Sequence, residues 1–170
     1  MAKDQNRIFR ILFVCTGNTC RSPMAHGILR KMAAEEGLDY MDVESAGVGT
    51  YDGYPPSTLA YQTALKDNVD ISDIHSTQLT PELMKEADIV IAMAMNHYDR
   101  MYSLYPENFH KVYVLKAFPD KDADDSLSVP DPIGLDEEFY KSTYAEIKQE
   151  LRRIWPDIKK RYQEKLGKQI

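Results

Sequence analysis

Ile8-Phe9-Arg10-Ile11-Leu12-Phe13-Val14-Cys15-Thr16-Gly17-Asn18-Thr19-Cys20-Arg21-Ser22-Pro23 is the stretch on which the fold turns. Its first seven residues are rich in β-formers and run into Cys-Thr-Gly-Asn, the pattern of a buried strand entering a turn. Ser22 and Pro23 then open a helix, with serine as a favoured N-cap and proline as a favoured first helical residue. Met24, Ile28, Leu29 and Met32 follow at helical spacing, and Gly37 is the stop.

Outward from this unit, strands are predicted near residues 41–46, 88–93 and 111–115, and helices near 57–66, after Thr80-Pro81, over 96–104 and over 137–166. Pro156 must kink the last helix or start a new segment. The glycines and prolines of residues 47–56 forbid regular structure, and the acidic run 119–125 reads as a solvated loop leading to Pro130-Asp131-Pro132-Ile133-Gly134. Strands alternating with helices at these lengths call for a parallel sheet covered on both faces. The expectation is an α/β, three-layer doubly wound sandwich with a four-stranded parallel sheet, one domain over residues 1–170. Ligands of such sheets sit at the carboxyl ends of the strands, which here means beside Cys15.

Composition narrows the function. A chain of 170 residues, 43% hydrophobic and 28% charged, has no apolar run long enough to cross a bilayer. The polar start, Met-Ala-Lys-Asp-Gln-Asn-Arg, and the short apolar stretch after it do not make a signal peptide, so the expected compartment is the cytoplasm. A net charge of -6 offers no field for polyphosphate backbones and argues against nucleic acid as a partner. The two cysteines, Cys15 and Cys20, share one short segment, which favours chemistry over cross-linking. With His26 they cannot complete a zinc site, and neither a metal nor another cofactor is expected.

The segment from Cys15 to Arg21 sets a thiol and a guanidinium six positions apart between a strand and a helix start, a spacing that closes a ring. Backbone N–H groups of Thr16, Gly17, Asn18, Thr19, Cys20 and Arg21 can point inward, together with the unpaired donors of the following helix, and hold a tetrahedral dianion. Gly17 and Asn18 tolerate left-handed backbone. Arg21 can bind two phosphoryl oxygens at once, and its charge is expected to lower the pKa of a Cys15 nucleophile. Ser22 can donate to the thiolate. Expelling a leaving group also needs an acid, and Asp131, between two prolines, is the candidate. Each residue alone has an ordinary structural explanation, but the strand, turn and helix start around them make the set specific.

Val14-Cys15-Thr16-Gly17-Asn18-Thr19-Cys20-Arg21-Ser22-Pro23-Met24-Ala25 resembles the signature of low-molecular-weight protein tyrosine phosphatases. The resemblance extends through Ser45-Ala46-Gly47, His75 and Leu79-Thr80 to Asp131-Pro132. It implies a phosphoprotein phosphatase working through a phosphocysteine, with inorganic phosphate as product and inhibitor. Cys15 would be the nucleophile, Arg21 the clamp, Ser22 the thiolate stabiliser and Asp131 the general acid and base. Asn18, Ser45 and His75 would brace the loop, and Cys20 would be the partner of Cys15 in a reversible disulfide.

Thr19, Tyr51 and Ile133 are the expected pocket residues. Tyrosine-specific members usually carry an apolar residue in place of Thr19 and an aromatic one in place of Ile133. The string with Thr19 looks more like the protein arginine phosphatase branch, and Ala94 leans the same way, whereas Tyr51 fits phosphotyrosine. Two alternatives stand beside a phosphatase: an arsenate reductase, which would need relay thiols that this chain lacks after Cys20, and a binding module without turnover, which would need neither Cys15 nor Asp131.

Overall fold

The computed structural model describes residues 2–167. Strands β1 (Phe9–Cys15), β2 (Met41–Gly47), β3 (Ile89–Ala92) and β4 (Val112–Val114) form one sheet in the order β2-β1-β3-β4, with every pairing parallel. Between and after them run α1 (Arg21–Glu35), α2 (Thr58–Leu65), α3 (Pro81–Glu86), α4 (Met95–Leu104) and α5 (Glu137–Gly167).

β1 reads as an almost unbroken apolar run because both of its faces are covered. Phe9, Ile11, Phe13 and Cys15 join one core with Met24 and Leu29 of α1, Ala60 of α2 and Leu151 of α5. Leu12 and Val14 face the other way, toward Met84 of α3 and Met101 of α4. The alternation of side chains along a strand thus divides the apolar residues into two cores, one on each side of the sheet. At about 1.5–3 kcal/mol for each fully buried large side chain, these layers dominate the stability of the fold.

The chain passes from β1 through α1 to β2 on one side, then crosses to β3 on the other. The carboxyl ends of β1 and β3 therefore flank the crevice where strand order reverses. Cys15 ends β1 beside Gly47 of β2, and α4 starts just beyond β3.

One local expectation needs correction, and a second is narrowed to one of its two alternatives. Helix α1 begins at Arg21 with Cys20 as N-cap and no side-chain cap, so Ser22 lies inside the first turn. The hydroxyl of Ser22 is committed to Cys15 and Asn18 instead. Pro23 is still tolerated, because the first N–H groups of a helix have no intrahelical partner to lose. The second concerns Pro156, over which α5 runs without starting a new segment. Leu151, Ile154, Trp155, Ile158 and Tyr162 are buried on both sides of it, and their combined burial outweighs the roughly 3 kcal/mol that an interior proline costs.

Candidate active site

The loop between β1 and α1 is held from outside by its carbonyl groups. Val48 N donates to Cys15 O at 3.0 Å, Gly49 N to Thr16 O at 3.0 Å and Ser57 N to Thr19 O at 2.9 Å. A trans peptide points its N–H opposite to its C=O, so these three bonds turn the N–H groups of Thr16, Gly17 and Cys20 away from the 47–57 segment and into the ring. Asn18 makes the turn with φ 54, in the left-handed region. Gly47 permits the close approach of the two segments, since a Cβ there would stand 2.5 Å from Thr16 O.

Behind the ring is a chain of side-chain hydrogen bonds. Thr77 N donates to Asn18 Oδ1 at 2.9 Å, Asn18 Nδ2 donates to Ser22 Oγ at 2.7 Å, and Ser22 Oγ lies 2.8 Å from Cys15 Sγ. Cys15 is 3% exposed, and burial pushes its thiol above the ordinary value, against the pull of the Ser22 hydroxyl, the Ser22 and Asn18 backbone N–H groups and the Arg21 charge. The lowered pKa expected from the sequence counted only those stabilising groups. The closing of the loop that brings them together also removes the sulfur from water.

Arg21 is buried and anchored at its far edge, with Nη1 donating to Val129 O at 2.9 Å. Its Nη2 lies 3.4 Å from His97 Nε2 and 3.5 Å from Asp131 Oδ2. The Asp131 segment is fastened to the end of β3: Val129 N donates to Met93 O at 2.9 Å, and Met95 N to Ser128 Oγ at 2.9 Å. Asp131 Oδ1 accepts from Ile133 N at 3.1 Å, while the side chain stays 42% exposed at the mouth. A thiol, a guanidinium and a carboxyl group thus converge from two separate stretches of chain.

Cys15, Gly17, Asn18, Thr19, Cys20, Arg21, Asp131 and Ile133 line one small cleft. Roomier grooves lie elsewhere, among them one along α1 and α5, one over Ser45 and one beside Ile8 and Tyr40, and none of these three is lined by a cysteine. Not every expected residue arrives. His75 is exposed, with Nδ1 3.2 Å from Asp73 O, and does not reach the loop. Ser45 is buried, but its hydroxyl meets His26 Nδ1 on α1 at 2.9 Å rather than the loop. The bracing assigned to these two falls to Thr77 and its N–H. Tyr51 is 73% exposed on the neighbouring loop, outside the residues that line the cleft. Cys20 turns from the ring toward Ser57 Oγ and Tyr140 OH, each 3.3 Å from its sulfur.

His97 was not legible as a site residue. It is fully buried, with Nε2 2.9 Å from Thr16 Oγ1 as well as beside Arg21. The signal available was its place in the first turn of a helix that follows a buried strand at the carboxyl edge of the sheet. Among the described residues no group of three His, Cys, Asp or Glu side chains is arranged to hold a metal ion, and no helix is long and apolar enough to cross a membrane.

The family model described as "Low molecular weight phosphotyrosine protein phosphatase" matches residues 10–164. A protein-arginine-phosphatase of Bacillus subtilis is 36% identical over 150 residues, spanning 88% of this chain and 97% of that protein. The low molecular weight protein-tyrosine-phosphatase YfkJ of the same organism is 30% identical over 141 residues, spanning 81% and 85%. Among solved structures, a mutant of the YwlE arginine phosphatase with a phosphorylated active-site serine superposes with a TM-score of 0.82 at 35% identity, covering 89% of this chain and 97% of that one. The phosphate-loop geometry and these likenesses agree: the chain is a protein phosphatase and belongs to the low molecular weight phosphotyrosine protein phosphatase family.

Proposed function

We propose that this phosphatase prefers phosphoarginine in protein substrates, with Cys15 as nucleophile, Arg21 as phosphoryl clamp, Ser22 as thiolate donor and Asp131 as general acid and base. In the first step the Cys15 thiolate attacks phosphorus, the sulfur–phosphorus bond forms as the nitrogen–phosphorus bond breaks, and the Asp131 proton passes to the departing guanidine nitrogen. Water then attacks the phosphocysteine, giving its proton to the Asp131 carboxylate while the thiolate leaves with a hydrogen bond from Ser22. The N–H groups of residues 16–21 and the Arg21 fork stabilise the equatorial oxygens in both steps. Inorganic phosphate, the product, competes for the same ring.

The observation that carries the arginine reading is the pair Thr19 and Ile133 on the wall of the cleft. A threonine hydroxyl can accept from a guanidinium, and Ile133 supplies no aromatic face for a phenyl ring. The likeness to the Bacillus subtilis protein-arginine-phosphatase supports the same reading, as does the position of Tyr51 outside the cleft. One domain over residues 1–170, a cytoplasmic setting and no nucleic-acid partner complete the proposal, the last of these supported by the net charge of -6. The test compares kcat/KM on matched phosphoarginine and phosphotyrosine peptides for the parent and Thr19→Ile. Parental preference for phosphoarginine, moved toward phosphotyrosine by the replacement, is the expected result. A parent that prefers the phosphotyrosine peptide overturns the arginine assignment.

A further inference from the structure

We propose that His97 is a positioning residue of the active site, tying Thr16 at the start of the phosphate loop to Arg21 at its end through one acceptor nitrogen. The donor logic decides the tautomer. A guanidinium nitrogen has no acceptor capacity, so the His97 Nε2 that lies 3.4 Å from Arg21 Nη2 must face it with a lone pair. The same nitrogen lies 2.9 Å from Thr16 Oγ1, and the threonine hydroxyl therefore donates to it. The ring proton then belongs on Nδ1, a buried nitrogen with no hydrogen-bond partner among the described residues.

That orphaned N–H shows what the residue is for. A buried polar group without a partner is unfavourable, and nothing at Nδ1 compensates for it. The reverse tautomer would set a donor against the arginine, which is worse. Burial and the Arg21 charge push the His97 pKa down to about 3, which leaves the ring neutral and its Nε2 free to accept. The polar contacts of the ring are thus all at Nε2, the two that join the ends of the loop.

Two consequences follow for the phosphoryl site. With Nη1 on Val129 O and Nη2 between His97 and Asp131, the plane of the Arg21 guanidinium is set before substrate arrives, leaving Nε and the second Nη1 hydrogen for phosphoryl oxygens. The Thr16 hydroxyl, with its proton given to His97, serves as a strut, so that Thr16 offers the anion its backbone N–H alone.

The inference rests on Arg21 being the phosphoryl clamp, and the experiment separates the two. Steady-state kinetics with an aryl phosphate are measured for the parent, His97→Leu, His97→Gln and Arg21→Lys, alongside ¹⁵N NMR of the histidine rings of the parent. His97→Leu removes the acceptor and is expected to lower kcat by about ten- to a hundredfold with a smaller change in KM. His97→Gln returns an acceptor near the Nε2 position and is expected to recover most of that loss. A merely structural histidine would give no such rescue. The NMR is expected to find His97 protonated on Nδ1 and unprotonated on Nε2 across neutral pH, a readout that stands even where His97→Leu fails to fold. A proton on Nε2, or a folded His97→Leu within about twofold of the parent while Arg21→Lys is impaired, overturns the inference and leaves the clamp intact. Arg21→Lys at the parental rate overturns the clamp, and the inference with it.

Discussion

The hydroxyl of Ser22 lies 2.8 Å from the sulfur of Cys15, placed to donate to it once the sulfur is a thiolate. Its direction is set two bonds away. The Thr77 N–H can only donate, so the Asn18 oxygen faces it and the Asn18 amide nitrogen faces Ser22. Ser22 Oγ accepts there, and its own hydrogen is left for Cys15. Ser22→Ala removes a donor to the charged form of Cys15, which gains more from that bond than the neutral thiol does. A hydrogen bond to a charged group contributes about 1.5–3 kcal/mol, so the Cys15 pKa is expected to rise by about one to two units. The rate of inactivation by iodoacetamide, followed against pH, should shift to higher pH by that amount. An unmoved profile would remove Ser22 from the thiolate.

Asp131 approaches the cleft only through Oδ2, 3.5 Å from Arg21, with Oδ1 held by the Ile133 N–H. One carboxyl oxygen is therefore tethered and the other faces Arg21 across the cleft. Asp131→Ala is expected to lower kcat by about 10²–10⁴ for a phosphoester with a poor leaving group and far less for an activated aryl phosphate, which departs without a proton. Equal losses on both substrates would take the acid role away from Asp131.

Most of this site was legible because it is local. Cys15 to Ser22 lie within one strand–turn–helix, and the curvature that needs φ 54 at Asn18 is written in the residue itself. Asp131 was found through its flanking prolines. What failed were contacts between distant segments. His75 and Thr77 are two residues apart, and whether a side chain or a backbone N–H reaches Asn18 depends on how residues 75–79 lie along β2, where Gly47 bridges Gln78. No periodicity reports that register. The pKa of Cys15 was misjudged for a related reason: the stabilising groups are visible in the sequence, but the desolvation that opposes them comes from packing. His97 is hidden most deeply, since its role is fixed by α4 meeting the two ends of a loop more than seventy positions earlier.

Two histidines, His97 buried and His26 half-buried, predict how stability responds to acid. Burial and nearby arginine charges hold His26 near pKa 4 and His97 near 3, both below the ordinary value of 6.5. Below about pH 6.5 the unfolded chain takes up two protons that the folded chain refuses, so unfolding becomes easier as pH falls toward 4. Each histidine contributes up to about 1.4 kcal/mol per pH unit. Glu44, whose carboxyl burial pushes up, opposes this by at most one proton. The expectation is a Tm that declines from pH 7 to pH 5 (about the window in which both rings refuse protons), with a shallower slope in His26→Gln. A Tm that is flat or rises toward acid would mean that these rings are already protonated in the folded state.

Cys20 is held away from the ring by two hydroxyls, Ser57 Oγ and Tyr140 OH, which are themselves 3.3 Å apart. Burial and, after it, the contact with Cys20 raise the Tyr140 pKa to about 12, so the phenol stays protonated and its O–H remains in place. Both cysteines are free thiols. If they act as a redox pair, hydrogen peroxide first oxidises Cys15 to a sulfenic acid with release of water, and the Cys20 sulfur then displaces a second water to form the disulfide. That second step requires Cys20 to leave its two hydroxyl partners. Tyr140→Phe weakens the hold without touching either sulfur, and each hydrogen bond lost contributes about 0.5–1.5 kcal/mol. The disulfide should therefore form about two- to tenfold faster in Tyr140→Phe after peroxide treatment, measured by mass spectrometry of the linked peptide, with activity restored by dithiothreitol. Slower or unchanged disulfide formation would show that Tyr140 does not restrain Cys20, and complete inactivation by peroxide with no linked peptide would show that the two sulfurs do not pair.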